Sequence, residues 1–311
     1  MRVRFWGVRG SLPSPLLPSQ VRERFSAILR QALPEDLADS ASRERFLAGL
    51  PPWLFGAVGG NTSCVSVDID GLDARIVFDC GSGMRELGMA AAASPASRYH
   101  VFLSHFHWDH LQGFPFFAPA YNPAMAIDFY SPRPGYEADL SALMRDPYSP
   151  IRMEEMPSKK AFWLMDAPVG VGPASVSFRK VSHPGDSFAF AVDHGGKRLI
   201  YATDIELEPE DFARTKENAA FFDGADAIIV DAQYTVLEAM EKRKWGHSPY
   251  SMAVELAASW DIARVVLFHH DPGSSDRKLH EILHSARLYM RHIRAGGADV
   301  CLATEGMEIV L

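Results

Sequence analysis

The sequence predicts an α/β protein of the α+β kind, in which two mixed β-sheets pack face to face and helices cover the outside. Two observations predict it. Short apolar runs of strand length recur along the chain, and they fall into two groups, each followed by helical stretches. A third observation concerns chemistry: several of these runs end abruptly in a histidine or an aspartate. With 311 residues and 47% hydrophobic composition the chain can bury a large core, and no low-complexity linker divides it. The expectation is a single domain over 1–311, with a helical insertion at about 14–52 and a rim insertion at about 121–160.

Met1-Arg-Val-Arg-Phe-Trp alternates like a strand and closes in Gly7-Val-Arg-Gly10, whose glycines permit a tight turn close to a ligand. From Ser14 to Pro52 the pattern becomes helical. Val21, Phe25, Ile28, Leu29 and Ala32 share one face, and Phe46, Leu47 and Leu50 mark a second short stretch. Packing is the expected role of this insertion, with a lid or a homodimer contact as alternatives. Strands follow at Cys64–Ile69 and Ile76–Asp79, a helix at Met84–Met89 and a strand at Tyr99–Leu103. Beyond a further strand at Ala126–Tyr130, an irregular stretch runs to Lys160 and is expected on the pocket rim. There Phe116, Phe117, Tyr121 and Tyr148 could stack on a substrate ring, although aromatics more often belong to the core.

The second half reads as strands at Ala161–Met165, Ser175–Val181, Phe188–Val192 and Arg198–Ala202, then a helix at Pro209–Ala219. A strand at Ala227–Val230 ends at Asp231, and a helix runs from Ser248 or Pro249 to about Trp260. The strand Arg264–Phe268, a long helix Asp276–Ile293 and strands near Val300 and Met307–Val310 complete the chain.

Charge and composition narrow the function classes. The net charge is −8 and the only basic cluster is Lys242-Arg-Lys244, so no long nucleic-acid track is advertised. No run approaches the roughly 18 apolar residues of a membrane span. Cys64, Cys80 and Cys301 form no paired framework and read as small buried hydrophobes in a reducing, cytoplasmic setting.

The densest chemical signal is Val101-Phe-Leu-Ser-His105-Phe-His107-Trp-Asp109-His110, directly after a strand. Spacings of two, two and one match neither a helix face nor one face of a continuing strand; they fit a loop whose side chains converge on a point. Imidazole suits zinc, iron, copper or nickel, and carboxylate tolerates harder cations. A mixed set this dense reads as half of a two-metal site. Twelve histidines make some clustering expected by chance, but this order after a buried strand is specific.

The segment resembles the HxHxDH motif of the metallo-β-lactamase-fold hydrolases, whose phosphodiesterase branch includes tRNA 3′-processing nucleases and cyclic-nucleotide phosphodiesterases. The resemblance implies an αββα sandwich with one or two metals between the sheets. It places His105, His107 and His183 on one metal and Asp109, His110 and His269 on the other, with Asp204 bridging. His269 against His270 is ambiguous: His269 directly follows the strand, which leaves His270 beside the site or against substrate. Asp79 corresponds to an aspartate that supports the ligands from behind; its other reading is the cap of the Met84–Met89 helix. His247, in Gly246-His-Ser-Pro249, corresponds to a histidine near the scissile phosphate and is the candidate proton donor, while ordering the turn before the helix is its structural alternative. Asp109 counts with His247 among the catalytic candidates.

Two divalent ions and a bridging hydroxide would perform hydrolysis. Zinc is the default metal by ligand type, with manganese or iron as alternatives. The pattern at Asp204, His247 and His269 favours a small phosphodiester such as a cyclic nucleotide. A lactonase or thioesterase is the enzymatic alternative. The tRNA nuclease is disfavoured because the chain is acidic and has no Gly/Lys-rich protruding arm. A degenerate metal-binding module is the reading from outside enzymology.

Overall fold

A computed structural model describes residues 1–91, 96–294 and 297–311. Six strands of the first sheet come in sequence before any of the second: β1 (Arg2–Gly7), β2 (Cys64–Asp68), β3 (Arg75–Phe78), β4 (Arg98–Phe102), β5 (Ala126–Ser131) and β6 (Lys159–Leu164). The second sheet takes β7 (Val169–Val171), β8 (Ala174–Val181), β9 (Ser187–His194), β10 (Lys197–Ala202), β11 (Ala227–Asp231), β12 (Arg264–Phe268) and β13 (Asp299–Leu302). The last strand, β14 (Glu308–Val310), returns to pair with β1, which gives the orders β14-β1-β2-β3-β4-β5-β6 and β13-β12-β11-β10-β9-β8-β7. Two mixed seven-stranded sheets in a sandwich are the predicted fold class.

The period of two along each strand sorts side chains into two cores. Phe78 and Phe102 point inward and meet Phe190 and Tyr201 of the second sheet, with ring centroids 5.0 Å apart for Phe78 and Tyr201. Their neighbours Val77 and Val101 point outward and pack under Met84 and Leu87 of the helix Gly83–Ala90. Parallel strands β3, β4 and β5 are therefore apolar on both faces, the usual pattern for a covered parallel sheet. In the second sheet β10, β11, β12 and β13 are parallel, and β8 shares their direction through the antiparallel β9. The carboxyl ends of β8, β10, β11 and β12 thus lie along one edge.

Several elements differ from expectation. The stretch Pro209–Ala219 is not one helix: a single turn at Pro209–Phe212 ends, and a new helix starts at Lys216 with Thr215 accepting from the Asn218 amide as its cap. Within the stretch read as irregular, Tyr136–Leu143 is helical and buries Tyr136 and Leu140. The packing role expected of residues 14–52 is not realised on its main face. The helix Pro18–Leu29 has no buried residue, and Phe25 and Leu29 are 63% and 69% exposed. Among the described residues no helix is long and apolar enough to cross a membrane.

Candidate metal centre

Strand ends assemble the site. His105 follows β4 by two residues beyond Leu103, His183 and Asp204 each sit two residues past β8 and β10, Asp231 terminates β11, and His269 directly follows β12. Because these strand ends share an edge, residues more than a hundred positions apart in sequence meet.

Their donor atoms converge in two groups joined by one carboxylate. His105, His107, His183 and Asp204 form the first, and Asp109, His110 and His269 the second. Nε2 of His183 is 3.2 Å from Nδ1 of His107, and Nε2 of His105 is 3.6 Å from Oδ1 of Asp204. On the other side, Nε2 of His110 and of His269 are 3.3 Å apart, and they lie 3.1 and 3.2 Å from Oδ2 of Asp204. Asp204 therefore offers one oxygen to each group.

These spacings suit a cation. Two ligand atoms at about 2.0–2.1 Å from a tetrahedral zinc stand roughly 3.3 Å apart, the separation seen between the paired imidazole nitrogens. Nε2 of His105 is buried and has no hydrogen-bond partner, as does Nδ1 of His269. Asp79, Asp109, Asp204 and Asp231 are all buried, and among the described residues none of them pairs with a lysine or arginine. Buried carboxylates without such partners need another positive charge. The donor set fits divalent metal ions.

Electrostatics agree with ligation. Burial, reinforced by the neighbouring histidine His110, pushes the His105 imidazole well below its usual pKa, and burial also lowers those of His107 and His183. Neutral imidazole is the form that binds metal. His110 behaves oppositely: burial disfavours its charged form, but Asp204, Asp109 and Asp79 around it push its pKa up. That excess of negative charge marks the second group as the deeper cation site.

Surrounding groups hold the donors in place. Oδ2 of Asp79 accepts from Nδ1 of His110 and from the Tyr201 hydroxyl, each at 2.8 Å, while Oδ1 accepts from the Ser104 amide. Asp79 does not cap the following helix, whose cap position is Ser82. The Ser11 amide donates to Oδ2 of Asp109 at 2.8 Å, and the Gly246 carbonyl accepts from Nδ1 of His183 at 2.8 Å. A Cβ on Gly10 would meet the His269 ring at 2.5 Å, and one on Gly246 would meet Nδ1 of His183 at 2.1 Å. Both glycines are required by close approach to a ligand ring.

Backbone strain concentrates at the same place. Asp79, Asp204 and His269 all adopt positive φ, at 59°, 49° and 58°, a region costly for residues with a side chain. Each sits where a strand must turn its next side chain into the site.

The structure also separates His269 from His270. Nε2 of His270 lies 2.9 Å from the Ala303 carbonyl, the residue is buried, and its backbone pairs with Val8 and Gly10. It turns away from the donors and fastens the end of β12 to the first strand's loop, so its expected place beside the site or against substrate is corrected.

His247 lies inside the cluster. Its donors converge with those of Asp204 and His269, and its Nδ1 is 2.7 Å from Oδ2 of Asp231. The other oxygen of Asp231 accepts from the Ser248 and Gln233 amides. Sequence reading placed Asp231 at a strand end and assigned it nothing. Its available signal was shared with Asp204 and His269: a polar residue at the end of an apolar strand of the same sheet.

A profile of the beta-lactamase superfamily domain matches residues 74–270. The chain belongs to this superfamily. Solved structures agree on the metallo-β-lactamase fold. The protein YhfI from Bacillus subtilis superposes with a TM-score of 0.65 at 17% identity, covering 99% of this chain and 98% of that one. The short form of human tRNase Z gives 0.61 at 17% identity over 100% and 99% of the two chains. Yeast PDE1 gives 0.63 at 12% identity over 100% and 99%. No protein of curated function matches the sequence. As a superfamily member the chain has the scaffold of a metal-dependent hydrolase.

Proposed function

We propose that this superfamily member is a binuclear metal-dependent phosphodiesterase acting on a small phosphodiester such as a cyclic nucleotide. The observation that carries the reading is the His247–Asp231 pair facing the two donor groups that share Asp204. His105, His107 and His183 of the first group would hold one ion and Asp109, His110 and His269 of the second the other, with Asp204 shared. Zinc is the ion the ligand set suggests. Divalent ions bound by these residues would supply Lewis-acid activation of water for hydrolysis at phosphorus.

The chain's own residues supply the rest. Asp231 accepts from Nδ1 of His247, which leaves Nε2 of His247 to hold the proton that the departing oxygen needs. Burial works against the charged imidazole, but Asp231, together with Asp204 and Asp109, raises the His247 pKa above its ordinary value. A proton held there suits a ribose alkoxide, a poor leaving group, more than it suits the thiolate of a thioester. The acidic surface favours a small substrate over a long nucleic acid.

The test pairs composition with turnover. Purified protein should carry close to two transition-metal equivalents per chain by elemental analysis, and should hydrolyse bis-p-nitrophenyl phosphate and a 2′,3′- or 3′,5′-cyclic nucleotide. An active protein without transition metal removes the metal assignment. Faster hydrolysis of an acyl-homoserine lactone than of any phosphodiester moves the chain to the lactonase reading.

A further inference from the structure

The motif loop carries a residue that the metal centre does not use. Trp108 lies between the donors His107 and Asp109, yet its side chain points to solvent and is 68% exposed. It borders a cavity of about 710 Å³, within the usual range of roughly 300–1,000 Å³ for small-molecule sites. Phe116 and Tyr148, 67% and 71% exposed, stand on the same cavity, whose floor includes the buried Leu140 and Met144. Exposing three aromatic side chains around one apolar hollow is costly in water unless something covers them.

The cavity lies beside a second hollow that reaches one of the donors. A neighbouring hollow of about 310 Å³ has His107 on its wall and shares Leu111, Ala142 and Leu143 with the larger one. The shared wall at Leu111, Ala142 and Leu143 places the aromatic hollow next to any molecule whose reacting group sits at His107. The polar groups there are few: Gln112, whose side-chain nitrogen is held by Thr62 Oγ1, Ser149, whose hydroxyl donates to the Ile151 carbonyl, and the exposed Arg145. Such a lining selects a flat apolar ring that carries some hydrogen-bonding edge, and has little to offer a sugar or a bare phosphate.

We propose that this hollow is the specificity pocket of the enzyme and that Trp108, Phe116 and Tyr148 hold an aromatic ring of the substrate, a nucleobase or an aryl arm of the phosphodiester. The proposal rests on the phosphodiesterase reading for its reaction, and on the cavity alone for its ring. It also corrects the earlier set of stacking candidates. Phe117 is fully buried against Tyr99, and Tyr121 donates its hydroxyl to the Pro115 carbonyl; neither lines the hollow. Trp108 takes their place.

Two measurements on the metal-loaded protein test it. The first compares bis-p-nitrophenyl phosphate with methyl p-nitrophenyl phosphate, which share a leaving group and differ in the arm that stays. The ratio of their kcat/KM values should fall on the order of tenfold in Phe116→Ala and in Tyr148→Ala, the size expected for losing one stacking ring. Metal content should not change. The second measures binding of adenosine monophosphate and ribose 5-phosphate by equilibrium dialysis. The nucleotide should bind on the order of tenfold tighter or better, and Tyr148→Ala should erase most of that advantage.

A kinetic ratio that stays constant in both variants, or equal binding of the two monophosphates, overturns the pocket while leaving phosphodiester turnover in place. Tighter binding of the nucleotide by a protein that turns over no phosphodiester keeps the pocket and overturns the reaction.

Discussion

The two donor groups are built differently. In the group of His105, His107 and His183, the His183 side chain is buried against the Gly246 carbonyl, but His107 is exposed and lines the smaller hollow. In the group of Asp109, His110 and His269 every donor is buried, Asp79 and Tyr201 stand behind His110, and the Ser11 amide stands behind Asp109. The deeper group is thus held rigid by hydrogen bonds to fixed groups, and the shallower one is left where a substrate can reach it. Preorganised support and access are opposing demands on one site. Here they are divided between its two halves, with Asp204 as the common wall.

Removing the common wall should have the largest effect. Asp204→Ala takes an oxygen from both groups, so metal content should drop from two equivalents toward none and activity toward background. Retention of both ions would break the two-group arrangement altogether.

Next in size is His247→Ala, read on substrates with different leaving groups. Turnover of a cyclic nucleotide should fall by about 10²–10⁴-fold, while bis-p-nitrophenyl phosphate, whose leaving group needs no proton, should lose far less. Both metals should stay bound. Equal losses, or loss of an ion, would reject the acid role and return His247 to structure or ligation. Asp231→Asn should repeat the pattern more weakly, because the ring remains but loses its orienting carboxylate.

Asp79→Asn acts directly on the deep group through His110, and reaches the other group only through Ser104 and His105. Support of this kind is typically worth about 10–100-fold in metal affinity, and the loss should fall on one equivalent out of two. Titration with a chelator should show the same asymmetry in the unaltered protein, with the ion held by His105, His107 and His183 leaving first. A single concerted loss of both ions would show that the two halves do not differ in hold.

The smallest effect is expected outside the comparison. Phe25→Ser on the exposed face of Pro18–Leu29 should change stability by no more than about 0.5 kcal/mol, since it removes a side chain that packs against little. A large loss, in stability or in oligomeric state, would give that face a partner.

Much of this was legible in the residues themselves. The cluster His105, His107, Asp109 and His110 is local, and its spacing after an apolar run marks a metal loop without any knowledge of what surrounds it. His183, Asp204 and His269 were found by one repeated pattern, a polar residue at the end of an apolar strand, together with the resemblance that assigned each to a metal. The same pattern occurs at Asp231, where no role was read. Nothing within the β11 segment shows that its carboxylate will lie 2.7 Å from a histidine sixteen positions later in the chain.

The sequence by itself determined the strand and helix periods, the sheet sandwich and the kind of donor atoms at each strand end, because these depend on local pattern and side-chain chemistry. Tertiary structure alone decided which of two adjacent histidines turns inward, for that follows from the positive φ of His269 and the Ala303 carbonyl waiting for His270. It alone decided that Phe117 is core and that Trp108, Phe116 and Tyr148 share a hollow. A ring's exposure depends on which distant segments close over it, and that is a property of the folded chain that residue type does not encode.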